Sequence, residues 1–179
     1  MAITSGTTAG GDPPVEIGLA ALLDHLEIPR AHFAGRGSAD LRRFMSRCPE
    51  RIASLTLLCP VVLEPQSLAP LAERLLVVTG DRGPGAHRVE AGLSELPQAS
   101  TVVLEDYTGH TWADIAAERG DSIGTAMQAF LARPGLPPVR PATAAGQEGE
   151  IAGISIACAA PDRRWCCCRS ICHRGNGSR

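Results

Sequence analysis

Residues 16–26, EIGLAALLDHL, place apolar side chains at Ile17, Leu19, Ala20, Leu23 and Leu26, close to the i, i+3, i+4, i+7 rhythm of a helix with one apolar stripe. Pro13 and Pro14 precede it, where a helix start tolerates a missing amide hydrogen, and Pro29 follows it, so a helix is predicted over 16–26. Arg30–Ala34 reads as a short extended run into a glycine turn, and Leu41–Arg47 as a helix leaving that turn and ended by Pro49. Ile52–Cys59, IASLTLLC, is an apolar run between Pro49 and Pro60, the pattern of a strand buried on both faces. Leu75–Thr79, LLVVT, is another, stopped by the turn-forming GDRGPG; Thr101–Leu104 is a further strand, with a short helix over Val89–Leu96 between them. Ala113–Leu131, apolar at Ile115, Ala116, Ile123, Met127 and Phe130, predicts a closing helix whose middle Gly120 and Gly124 weaken. Strands alternating with helices imply an α/β fold, a parallel sheet of about four strands with flanking helices.

Beyond Pro134 the periodicity stops. The stretch to Glu150 is rich in Pro, Ala and Gly and reads as a linker, which divides the chain into a domain over 1–133, a linker over 134–150 and a disordered tail over 151–179. Composition follows the same seam. Residues 1–135 hold eleven Arg against sixteen Asp and Glu, while 136–179 hold six against three. Cys48 and Cys59 sit in the body; Cys158, Cys166, Cys167, Cys168 and Cys172 crowd the tail. A length of 179 residues suits one domain, and 44% hydrophobic with 20% charged residues suits a globular one. No apolar run approaches the roughly 20 residues that span a bilayer. The opening MAITSGTTAGGDPP lacks the basic-then-apolar order of a secretory signal, so the expected location is cytoplasmic, with no membrane or nucleic-acid partner.

The stretch LLDHLEIPRAHFAGRGSADLRRFMSRCPERIASLTLLCP, residues 22–60, resembles the nucleophile-elbow region of the α/β-hydrolase family, and RLLVVTGD (74–81) and STVVLEDYTGHTW (100–112) resemble its last two strands and histidine loop. The resemblance covers about residues 8–133 and implies a partial α/β-hydrolase fold. In that family a sharp strand-to-helix turn lifts a serine above the sheet in G-x-S-x-G, with small residues either side so that the backbone can bend. Laid on this pattern, Gly35, Gly37 and Ala39 occupy the first glycine, the serine and the last glycine. Gly37 offers no side chain, and Ser38 stands one residue late, where the family uses a backbone amide for the oxyanion hole. Ser38 is thus either a shifted nucleophile or part of a surviving structural turn. His110, in Tyr107-Thr108-Gly109-His110-Thr111, matches the histidine that would take the serine proton and return it to the leaving group. The orienting acid is expected in a G-x-x-D pattern, a slot that holds Gly83 here; Asp81 lies two residues early, Glu64 is a substitute, and a plain turn role for Asp81 competes. His25, His32 and His87 have no such context.

What the resemblance implies is an ester or related small-molecule hydrolase, truncated and catalytically impaired; the rival is a non-catalytic interaction module on the same fold. The family's first four strands are absent, and the loop after the third supplies an oxyanion donor worth roughly 10²–10³ in rate. Without the third strand's counterpart, Arg30–Ala34 becomes an open apolar edge. A partner chain or a second copy covers it, the product aggregates, or the chain starts upstream of Met1. No cofactor is implied.

Cys166, Cys167, Cys168, Cys172 and His173 invite a zinc reading, but three consecutive cysteines do not follow the C-x₂₋₄-C spacing that wraps a tetrahedron, so no metal is expected. The absence of Lys beside 17 Arg points to GC-rich coding, and the tail reads as a frameshift product. Two bases later in each codon, Trp165-Cys166 can give only Val, and the next two cysteine pairs only Leu. With permitted codons Ile156–Ser170 becomes SVRGTGPPLVLLPL, which resembles the family's opening strand.

Overall fold

The structure, a computed structural model, describes residues 15–37, 41–109, 115–138, 148–151 and 154–157. Helix α1 spans Val15–His25 and is closed by a reciprocal pair of backbone bonds, Ile28 N–H to Leu23 O at 2.8 Å and Glu27 N–H to Asp24 O at 3.0 Å. Glu27 takes the left-handed conformation (φ 52°) that this closure requires. Strand β1, Ala31–Gly35, follows, then α2, Arg42–Arg47, and a 3₁₀ turn at Pro49–Arg51 that leads into β2, Ile52–Leu58. Pro60–Glu73, which had no predicted element, folds into a short helix α3, Pro65–Leu68, and most of a 3₁₀ turn, Ala69–Arg74, each with proline in its first turn.

Strand β3, Leu75–Gly80, precedes α4, Pro84–Ser94, which begins five residues before the predicted Val89 because Pro84 starts the helix directly after the Gly83 turn. Of its early residues, Arg88 and His87 are exposed and Val89 is buried, so apolar periodicity had marked only the packed half. Strand β4, Ser100–Leu104, and α5, Ile115–Leu131, complete the domain; α5 is kinked at Arg119 (φ −136°, ψ 25°), beside Gly120. A separate antiparallel pair, β5 (Glu148–Ile151) and β6 (Ile154–Ala157), falls within the stretch read as linker and tail.

The four strands form one parallel sheet in the order β1-β2-β3-β4. Because successive side chains point to opposite faces, β3 sends Leu75 and Val77 into one core and Leu76 and Val78 into another. The first core packs Leu19, Leu22 and Leu23 of α1 and Phe44 of α2 against Phe33, Leu55 and Leu57. Phe33 and Phe44 meet edge to face at 5.6 Å, which fixes α2 against β1. The second packs Ile115, Ile123 and Phe130 of α5 against Leu76, Val78 and Leu104. Both faces of the sheet are therefore covered, as parallel sheets require.

Beneath β1 and β2 the second face turns polar: His32, Ser54 and Thr56 share it, the last two each 1% exposed. The Pro137 carbonyl can only accept, so His32 Nε2–H donates to it at 3.0 Å and Nδ1 accepts from the Ser54 hydroxyl at 2.8 Å. Burial holds the His32 imidazole below its ordinary pKa, consistent with that neutral form. The chain leaving α5 is thereby tied across the start of the sheet. Among the described residues β1 pairs only with β2, so its other side is the edge the sequence led one to expect.

Candidate active site at the carboxyl ends of the strands

In an open parallel sheet, ligands sit beyond the carboxyl ends of the strands, where loops leave opposite faces. Four turns gather there: Gly35–Gly37 after β1, Cys59 after β2, Gly80–Gly83 after β3 and Tyr107–Gly109 after β4. They interlock through backbone more than through side chains. Gly80 lies so close to the β4 loop that a Cβ on it would be 1.9 Å from Tyr107 O. Arg82 N–H donates to the same carbonyl at 3.2 Å. Gly109 (φ 60°) presses on Cys59, which itself has φ 45°, and a Cβ at Gly109 would meet Cys59 Sγ at 3.0 Å. Arg36 reaches across from the first turn and donates to Gly109 O at 3.3 Å.

Of the residues singled out from the sequence, Ser38, Ala39 and His110 lie outside the described residues, whereas Gly37 and Gly109 lie within them. The Arg36–Gly109 bond joins the residue two before Ser38 to the residue before His110, so the turn after β1 and the loop after β4 are held together. Among the described residues, its chain neighbours aside, nothing lies within 4 Å of a Cβ built on Gly37. Gly83 differs. Gly83 has φ 88° and ψ 169°, and a Cβ there would be 2.5 Å from Thr108 Cγ2.

Asp81 is exposed and spends its carboxylate on the β4 turn: Oδ1 accepts from Tyr107 N–H at 3.0 Å and Oδ2 from Asp106 N–H at 3.1 Å. These amides, Tyr107 first, hold its pKa below the usual carboxylate value. Both oxygens thus brace the turn, where Asp106 adopts φ 53° and pairs with Arg82. Glu64, the substitute acid, pairs with Arg42 of α2.

Three groups here escaped the sequence reading. Tyr107 is buried, donates its hydroxyl to Glu118 at 2.8 Å and has the Arg119 guanidinium 5.2 Å from its ring centre. Burial first, then the Glu118 bond and charge, push its phenol to about 12. Burial likewise raises the Cys59 thiol, opposed by the nearby Arg36 charge, so the thiol stays protonated near neutral pH. Position was the available signal: each stands at or just past a strand end, or in the first turn of the helix that follows.

No protein-family model matches this chain, and no curated protein does. Solved structures do. The chain is similar to naproxen esterase (carboxylesterase NP) from Bacillus subtilis, at TM-score 0.52 and 13% identity over 69% of this chain and 68% of that one. It is also similar to a hydrolase from Pseudomonas aeruginosa PA01, at TM-score 0.50 and 16% identity over 73% of this chain and 77% of that one. At such identities the likeness is one of fold, and the class it defines is the α/β-hydrolase fold. Among the described residues no helix is long and apolar enough to cross a membrane, and no three His, Cys, Asp or Glu are gathered to hold a metal.

Proposed function

We propose that this is an ester-hydrolase-like protein of the α/β-hydrolase fold whose acyl-transfer chemistry is impaired. Such chemistry needs a nucleophile, a base that takes its proton and an acid that orients the base. The observation that carries the reading is a pair of glycines: Gly37 at the nucleophile position, and Gly83 at the acid position in a conformation and contact that oppose a side chain. Asp81 stands two residues from that position and directs both oxygens at the β4 turn, although each oxygen, accepting one backbone hydrogen bond, keeps an acceptor site to spare. The test is hydrolysis of short p-nitrophenyl esters by the purified chain, expected not to exceed buffer. Labelling of Ser38 by a fluorophosphonate, lost in Ser38→Ala, would overturn it.

A second reading, a non-catalytic interaction module on the same fold, is favoured by the inward bonding of the polar groups at the strand ends. Tyr107 is spent on Glu118, and Arg36 donates to Gly109. Under this reading small esters neither turn over nor compete for the site, whereas an impaired hydrolase still binds them and shows saturable shifts in backbone amides at 35–37 and 107–109.

A further inference from the structure

The cleft of about 440 Å³ lies at the other end of the sheet from the site above, lined by residues that enter the strands rather than leave them. Arg30 precedes β1, Ala53 opens β2, Glu73 and Arg74 precede β3, and Gln98 precedes β4. The fifth wall is the segment Arg133–Pro137 after α5, held across the sheet by the His32 bond to Pro137 O.

Three arginines, Arg30, Arg74 and Arg133, thus line one concavity with a single acidic residue, Glu73. Two of them have structural duties. Arg74 donates to Ile52 O at 2.5 Å and to Pro49 O at 3.5 Å, fixing the 3₁₀ turn before β2 to the start of β3. Arg133 bonds the Ser100 hydroxyl and lies over the Phe130 ring at 5.7 Å. Each guanidinium carries five N–H donors, so both keep donors to spare. Arg30 is exposed, and among the described residues it forms no hydrogen bond or ion pair. Like charges drawn into a concave wall raise the local potential and gather counter-ions. A volume in the few-hundred-Å³ range fits a small organic molecule better than a lone ion.

We infer that this amino-end cleft binds a small polyanion, a molecule bearing two or more carboxylate or phosphate groups, with Arg30 and Arg133 as its principal donors and Arg74 contributing charge from the floor. Guanidinium suits both groups because its planar fork can donate two parallel hydrogen bonds to either. The inference does not depend on the reading of the carboxyl-end site, since no residue is shared.

The test is calorimetric titration of the full chain with citrate and, separately, with pyrophosphate, at matched ionic strength against chloride. Citrate saturation with pyrophosphate weaker identifies a polycarboxylate site, and the reverse order a polyphosphate site; either supports the inference. Arg30→Gln and Arg133→Gln should each weaken binding by about tenfold, the loss of one charge-assisted hydrogen bond. Arg133→Lys should recover part of it, and Arg88→Gln on exposed α4 should leave it within about twofold, the spread expected where no contact is lost. Circular dichroism of each variant confirms folding, and shifts of the Arg side-chain N–H resonances in the unsubstituted chain give a readout independent of the variants. Absence of saturation by both anions at millimolar concentration, or saturation indifferent to the Arg30 and Arg133 changes, overturns the inference.

Discussion

On the proposed reading, a serine at Gly37 and an aspartate at Gly83 should have different consequences for the fold. Gly37→Ser meets nothing among the described residues, and the backbone there is not left-handed, so its stability change should stay within about 0.5 kcal/mol. Gly83→Asp forces a side chain onto φ 88°, ψ 169°, a region close to glycine-only that costs roughly 1–3 kcal/mol. The new Cβ also sits 2.5 Å from the Thr108 methyl. Thr108 is only part-buried in a loop and can yield, so the overlap adds about 1 kcal/mol, the low end for overpacking. Reduced freedom of the unfolded chain returns about 0.4–1 kcal/mol. The net, roughly 1–4 kcal/mol, is a sizeable part of the 5–15 kcal/mol that holds an ordinary domain. In thermal denaturation it should lower the midpoint by about 4–16 °C. Gly83→Ala, Thr108→Ser and the double variant separate the two causes, because Thr108→Ser removes only the methyl: the pair should recover the overlap but not the backbone cost. A Gly83→Asp variant that melts with the parent would refute the geometry, and with it the claim that an acid is opposed there. Gly37→Ser alone should not produce esterase activity.

Three further outcomes are expected. Asp81 has a depressed folded pKa, so its contribution is present above its unfolded pKa and lost as pH falls through the folded one; Asp81→Asn should speed amide exchange at Asp106 and Tyr107 and flatten the acid limb of stability. Tyr107 is raised from 10.0 to about 12, so its contribution is complete below pH 10 and is lost as pH rises toward 12; Tyr107→Phe should remove that alkaline transition, read by absorbance of the phenolate. With one side of β1 unpaired among the described residues, sedimentation at rising concentration should show self-association, accompanied by slower deuterium exchange in Ala31–Gly35; a monomer in which those amides are already protected would contradict it.

The strands were legible because burial on both faces leaves continuous apolar runs: Ile52–Leu58 and Leu75–Gly80 lie within a residue of their expected bounds. The short helical turns at Pro65–Arg74 were not, since their order comes from proline placement and tertiary packing of Leu68 and Leu71 rather than from any repeat. The start of α4 was missed for a related reason: Gly85, Ala86, His87 and Arg88 carry no large apolar side chain to mark it. At the site, the glycines at positions 37 and 83 could be read from alignment of motifs alone. That a side chain at Gly83 would meet Thr108 could not, because that contact comes from another strand's loop. The Tyr107–Glu118 pair likewise joins a loop to the helix beyond it, a contact set by the fold and invisible to local spacing.

The arrangement separates what the fold demands from what chemistry demands. Gly80 and Asp81 serve the fold: one lets the β4 loop approach to backbone contact, and the other binds the two amides that turn it back. On the proposed reading Gly37 and Gly83 occupy the nucleophile and acid positions, yet they are not equivalent. Among the described residues nothing crowds a side chain at Gly37, whereas one at Gly83 meets a strained backbone conformation and the Thr108 methyl. On that reading the acid position is the harder to restore, because conformation as well as composition opposes it, and a serine at position 37 alone would leave that obstacle in place.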